Sequence, residues 1–319
     1  MKKVLRYLGI LLLVLIVLVG LFASYISIRG IPAYTAEKVE LHVDATKARL
    51  AQGQKLASML CRNCHLDANT NKFTGRLLSE APQFGVIYSR NITNDKAHGI
   101  GNWTDGQLAY LLRTGIKPDG SYLPPYMPKL VHLSDEDLYS VIAFLRSGHA
   151  WVEADNTVQP DTKPSFLTKF LTNIKAMKPF PYPKQPIAAP DTTDRVAWGR
   201  YIALGQLECF SCHSRDFAKN DYFNPEKSPG FFGGGNELFN TAGKKIVSLN
   251  ITMDKNTGIG NWSEDDFIRA VKYGQVPNGG DPLREPMQPY AQLTDNEVRA
   301  IWAYLKTVPV QQHKVERSQ

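Results

Sequence analysis

Apolar positions along this chain fall into two regimes. From Leu8 to Ile28 they are almost continuous over 21 residues, broken only by Gly9, Gly20, Ser24, Tyr25 and Ser27. At about 1.5 Å per residue such a run spans a bilayer core, and it exceeds the about 7–15 residues of a secretory h-region. Lys2, Lys3 and Arg6 precede it, which predicts an uncleaved anchor over residues 1–30, the alternative being a signal peptide cut near Ala23; either reading puts everything after Arg29 on the far side of the membrane. Beyond residue 44 the apolar positions take helical spacing. Ser134 with Asp137 and Thr294 with Glu297 read as capping boxes ahead of helices over 138–145 and 298–305, and Thr104 with Gln107 and Ser263 with Asp266 open shorter ones. Arg49-x3-Gly53-x2-Leu56 and Arg195-x3-Gly199-x2-Ile202 predict two further helices. A glycine inside a helix costs about 1 kcal/mol against alanine, so each implies the close approach of another helix. No segment alternates as a substantial sheet would, and the predicted fold class is all-α.

The chain also repeats itself with a period of about 160 residues. Cys61-Arg-Asn-Cys64-His65 recurs as Cys209-Phe-Ser-Cys212-His213. Asn91-Ile92-Thr93 recurs as Asn250-Ile251-Thr252, the segment from Gly99 to Trp103 recurs from Gly258 to Trp262, and Met127 matches Met287. This predicts two tandem domains, 44–150 and 191–310, each long enough to bury its own core. Between them, residues 151–190 hold Pro160, Pro164, Pro179, Pro181, Pro183, Pro186 and Pro190 and read as a stiff connector. Phe166, Leu167, Phe170, Leu171 and Ile174 recur there at helical spacing, and a short helix docked between the domains is expected.

Composition changes this picture little. Hydrophobic residues at 43% and charged residues at 21% describe an ordinary globular chain. The net charge of +7 suggests a nucleic-acid surface until it is located. Lys2, Lys3, Arg6 and Arg29 lie in residues 1–31, which hold no acid, so the remainder carries +3. The excess is a topology signal, and no nucleic-acid partner is expected.

All four cysteines lie in the two Cys-x-x-Cys-His units. Covalent attachment of haem uses two thiols one helical turn apart and an adjacent imidazole for the iron, and both units supply all three groups. A redox dithiol would need one cysteine pair beside a βαβ pattern, and zinc would need four ligands; both remain rivals. The sixth iron position separates electron transfer from catalysis on a small ligand. Met127 in Pro124-Pro-Tyr-Met127-Pro128 and Met287 in Pro286-Met287-Gln-Pro289 are the candidates, with core filling as the alternative. Flanking prolines stiffen both loops. His98 and His132 are rivals in the first copy only, Met59, Met177 and Met253 are expected to be packing residues, and His42, His149 and His313 are expected to be solvated. Asn91, Asn250, Trp103 and Trp262 carry donors suited to buried propionates, or alternatively a turn and a core.

These motifs resemble the membrane-anchored cytochrome c subunits of bacterial alcohol, gluconate and related dehydrogenases. That family repeats Cys-x-x-Cys-His, Asn-Ile-Thr-x-Asp, Thr-Gly-Ile-Gly-x-Trp and a Pro-flanked Met before a Ser-Asp-x-Asp helix. The resemblance covers about 46–150 and 191–308, and implies cytochrome c folds, two covalent haem c groups, His/Met ligation by His65, Met127, His213 and Met287, and periplasmic electron transfer. The family's subunits look like three-haem proteins with a C-terminal membrane helix, whereas this chain has two motifs and an N-terminal anchor. The expected function is a single-pass protein of the bacterial inner membrane, its haem domains in the periplasm, carrying electrons between a donor and an acceptor protein. The alternatives are a diheme enzyme, such as a peroxidase or a thiosulfate-type oxidoreductase with one displaceable ligand, and a fixed subunit of a larger respiratory complex.

Overall fold

The structure, a computed structural model, describes residues 1–316. Helix α1 (Lys2–Arg29) is unbroken, exposed along nearly all of its length, and long and apolar enough to cross a membrane. The first copy follows with α2 (Lys47–Leu60), α3 (Arg62–His65), β1 (Gly85–Val86), α4 (Asp105–Thr114) and α5 (Asp135–Leu145). In the connector, β2 (Lys163–Pro164) pairs antiparallel with β1, and α6 (Phe166–Asn173) succeeds it. The second copy comprises α7 (Arg195–Tyr201), α8 (Cys209–His213), the antiparallel pair β3 (Glu237–Phe239) and β4 (Lys245–Val247), α9 (Glu264–Tyr273) and α10 (Asp295–Leu305). The fold is mostly helical, as expected, with two minimal strand pairs among the described residues.

The predicted caps form. The hydroxyls of Thr104, Ser134, Ser263 and Thr294 each accept from the backbone N–H three residues on, and in all but the Ser134 cap the third residue's side chain reciprocates. Within each copy the first and last helices cross in close contact, α2 on α5 and α7 on α10. The helix glycines mark the crossings. A Cβ on Gly53 would stand 1.9 Å from the Ser140 carbonyl oxygen, and one on Gly199 would stand 1.8 Å from that of Ala300.

The copies differ at one informative place. Seven residues separate Gly53 from Cys61, whereas nine separate Gly199 from Cys209. The surplus is absorbed by a π-helical turn at Ile202–Gln206 and by Glu208, which takes a left-handed conformation at φ 48°. Single π turns accommodate such insertions without ending a helix. Here the turn delivers Gln206 to the first copy, where its amide donates to the Asp137 carboxylate at 2.7 Å.

The copies meet through matched positions. Lys55 Nζ lies 2.5 Å from Glu297, and the residue equivalent to Lys55, Tyr201, donates at 2.5 Å to the equivalent of Glu297, Asp137. Such reciprocity is the signature of a two-fold, isologous contact, here between repeats of one chain. Buried apolar side chains of both copies join in one continuous cluster rather than two separate cores, with Leu56, Ile142 and Phe144 from the first and Ile202, Phe210 and Ile301 from the second. The connector helix departs from expectation as well. α6 lies beside α1 instead of between the copies, Asn173 Nδ2 donating to the Gly30 carbonyl at 2.8 Å.

Candidate functional site

Each Cys-x-x-Cys-His unit is a single helical turn, which sets its two thiols one turn apart and points the histidine off its end. Burial pushes the thiols of Cys61 and Cys209 up to about 12 and that of Cys64 to about 11. A redox dithiol needs the opposite, a thiolate favoured near neutrality. Among the described residues no three His, Cys, Asp or Glu side chains converge as a zinc site would require.

The histidines are held alike. His65 Nδ1 lies 2.8 Å from the Arg90 carbonyl oxygen, and His213 Nδ1 lies 2.8 Å from that of Leu249. Both carbonyls belong to the residue just before an Asn-Ile-Thr segment. A bond from Nδ1–H to a carbonyl sets the tautomer and leaves the Nε2 lone pair for a metal. Burial favours the neutral ring, pushing His65 down to about 4 and lowering His213 too.

In the second copy these groups line a cavity of about 450 Å³ together with Met287, Trp262 and Asn250, and Cys209, Cys212 and His213 form part of its wall. The remaining wall is largely apolar, including Ile259, Phe267, Ile301 and Leu305. Size and lining match a cofactor pocket with few polar groups, and two thiols, a neutral imidazole and a thioether are the donor set that haem c requires. In the first copy Cys64 packs on Leu78, Ala81, Phe84 and Ile87, a cluster that Tyr126 and Met177 also join, while Cys61, Trp103 and Met127 pack on the main core. Both Met loops make the same turn, Met127 N–H to the Pro124 carbonyl at 3.1 Å and Met287 N–H to that of Arg284 at 3.0 Å.

Asn91 and Asn250 direct their side chains into the chain itself. Each Oδ1 accepts from the amide and hydroxyl of Thr93 or Thr252, and the Nδ2 groups donate to the carbonyls of Asp155 and Thr157 or of Gln311 and His313. They pin the segment that carries the histidine's carbonyl partner. Of the rival histidines, His98 is exposed and His132 Nε2 is engaged by the Tyr222 carbonyl at 2.6 Å. His149 and His313 are not solvated as expected. The first lies against Phe144 and Trp151, and Nδ1 of the second is 3.0 Å from the Gly233 carbonyl oxygen.

Sequence reasoning passed over Lys129. Its buried Nζ donates to the carbonyls of Leu123 (2.5 Å), Pro124 (2.9 Å) and Met127 (2.5 Å), gathering the Met127 loop around one amine. Its stem passes where Gly115 has no Cβ; one there would stand 2.3 Å from Lys129 Cε. Burial pushes Lys129 down to about 7, and the negative charge of Glu208 opposes this. Glu208 is itself buried and pushed up to about 8. A lone lysine in the apolar, proline-rich stretch 124–131 carries no sequence mark of its role, and the second copy has Pro289 at this position.

No protein-family model matches the chain. It is 31% identical over 277 residues to the cytochrome c subunit of the quinone-dependent alcohol dehydrogenase of Gluconacetobacter polyoxogenes, covering 83% of this chain and 57% of that protein. It is 29% identical over 283 residues to the gluconate 2-dehydrogenase cytochrome c subunit of Pantoea cypripedii, covering 83% and 60%. The chain thus spans somewhat over half the length of these relatives. A diheme c-type cytochrome of Cereibacter sphaeroides is 28% identical over 259 residues, covering 78% of this chain and 82% of that protein. The chain is a homologue of the cytochrome c subunits of alcohol and gluconate dehydrogenases and of a diheme c-type cytochrome.

Proposed function

We propose that the protein is a membrane-tethered carrier of single electrons, built of two tandem cytochrome c domains (44–150 and 191–310) that each bind one haem c. The observation that carries this reading is the matched pair of histidines, each half-buried and held through Nδ1 by the carbonyl before Asn-Ile-Thr. Cys61, Cys64, Cys209 and Cys212 would hold the haems by thioether bonds, with His65 and His213 as fifth ligands and Met127 and Met287 as sixth. When bound, haem iron supplies reversible one-electron chemistry. The chain's own part is to fix the ligands, to exclude water with apolar walls, and to place Trp103 and Trp262 near propionates that would bring its exported part close to neutral. Asn91 and Asn250 hold the loop behind each histidine. α1 anchors the protein in the inner membrane with the domains in the periplasm, facing donor and acceptor proteins. A dehydrogenase donor is favoured by the names of the relatives.

Holoprotein purified from membranes tests the reading. A pyridine haemochrome assay is expected to find two thioether-linked haems per chain, and the reduced protein is expected to resist carbon monoxide. One haem per chain would remove the tandem reading, and rapid carbon monoxide binding at either site would favour the diheme enzyme.

A further inference from the structure

The connector helix is built inside out. Along α6 the polar Thr168 and Thr172 are buried, the Thr168 hydroxyl donating to the Phe84 carbonyl at 3.1 Å, while Phe166, Leu167 and, just beyond its end, Ile174 are each about half exposed at 49%, 54% and 49%. A surface helix of a water-soluble protein places these classes the other way round. Contiguous exposed apolar residues of this kind mark a surface that something apolar covers.

Its neighbour says what covers it. Phe170 meets Phe22 of α1 edge to face, with ring centroids 6.3 Å apart, and Lys169 Nζ donates to the Ser27 carbonyl at 3.2 Å. With the Asn173–Gly30 bond, these contacts set α6 against the last turns of the membrane helix, where it leaves the hydrocarbon core. The charge around it is one-sided. Residues 162–190 contain Lys163, Lys169, Lys175, Lys178 and Lys184 and no acid. An apolar face rich in Phe and Leu, flanked by lysines at the end of a span, is the pattern of a helix lying in the headgroup layer of an anionic bilayer.

We propose that α6 is a second membrane contact, its Phe166, Leu167 and Ile174 inserted into the outer leaflet that α1 spans and its flanking lysines on anionic headgroups. The proposal rests on α1 being a membrane span. Two contacts made by separate parts of the chain fix the tilt of the domains against the bilayer, which a single anchor through a linker would leave free.

Site-directed spin labelling of the full-length holoprotein tests this, in vesicles of zwitterionic and anionic phosphatidylglycerol lipids. A nitroxide on Leu167→Cys, and independently on Phe166→Cys, is expected to show an oxygen-to-nickel-chelate accessibility ratio several-fold above that of Tyr273→Cys, an exposed position in α9. Haem spectra identical to the parent protein confirm folding. A chain that floats with the vesicles but shows equal ratios at 167, 166 and 273 overturns the proposal and leaves the anchor standing; the same result is expected if a partner protein covers the face. A chain that fails to float overturns the anchor, and the proposal with it.

Discussion

The Tyr201 hydroxyl stands 2.5 Å from the Asp137 carboxylate and 2.9 Å from the Ser134 hydroxyl, at the N-terminus of a helix in the other copy. Tyr201 also accepts from the Ser134 amide at 3.0 Å, so one phenol from the second copy completes the cap of α5 in the first. Tyr201→Phe is expected to cost about 2 kcal/mol, the worth of a hydrogen bond to a charged, mostly buried partner. Urea unfolding of the holoprotein measures it, and an unchanged midpoint would mean that Gln52 and Gln206, which also donate to Asp137, suffice.

Lys129→Met keeps the volume of the stem and removes the amine that gathers three carbonyls of the Met127 loop. The expected outcome is a loosened sixth ligand in the first copy alone: roughly half of the far-red absorption of thioether-ligated ferric haem lost, and carbon monoxide bound by one haem of two. Full retention of that absorption would reduce Lys129 to a packing residue.

Burial holds the pKa of His132 below its ordinary 6.5, outweighing its bond to the Tyr222 carbonyl. The folded protein then binds fewer protons at this site than the unfolded chain between the lowered pKa and 6.5. Stability from this group is therefore present above pH 6.5 and is lost as pH falls through the folded pKa. His132→Gln, which keeps a donor for Tyr222, is expected to flatten the acid side of a plot of unfolding midpoint against pH.

Gly199→Ala places a methyl group 1.8 Å from the Ala300 carbonyl oxygen. A loss of about 3 kcal/mol is expected from forcing α7 and α10 apart. Gly148→Ala, where nothing lies within 4 Å, is the control and is expected to leave the thermal midpoint nearly unchanged.

The helix crossings and caps were legible in the sequence because they are local: a glycine in an apolar helix and a Ser or Thr three residues before an acid or amide each have one physical reading. The motif pairs Cys61 to His65 and Cys209 to His213 were legible because the repeat shows every element twice. What depends on how the copies meet was hidden. The two residues added before Cys209 look like drift until the π turn and Glu208 absorb them and Gln206 is found at Asp137. His313 read as solvated and Lys129 drew no reading because their partners are backbone carbonyls, which no residue pattern announces. The helical period of α6 was visible, but a period gives the apolar face and not what it faces.

One apolar cluster runs through both copies, so the two candidate redox centres share a single packed core. A cavity opened in the packing of either copy is then expected to loosen the core against which the other copy's first motif cysteine, Cys61 or Cys209, rests.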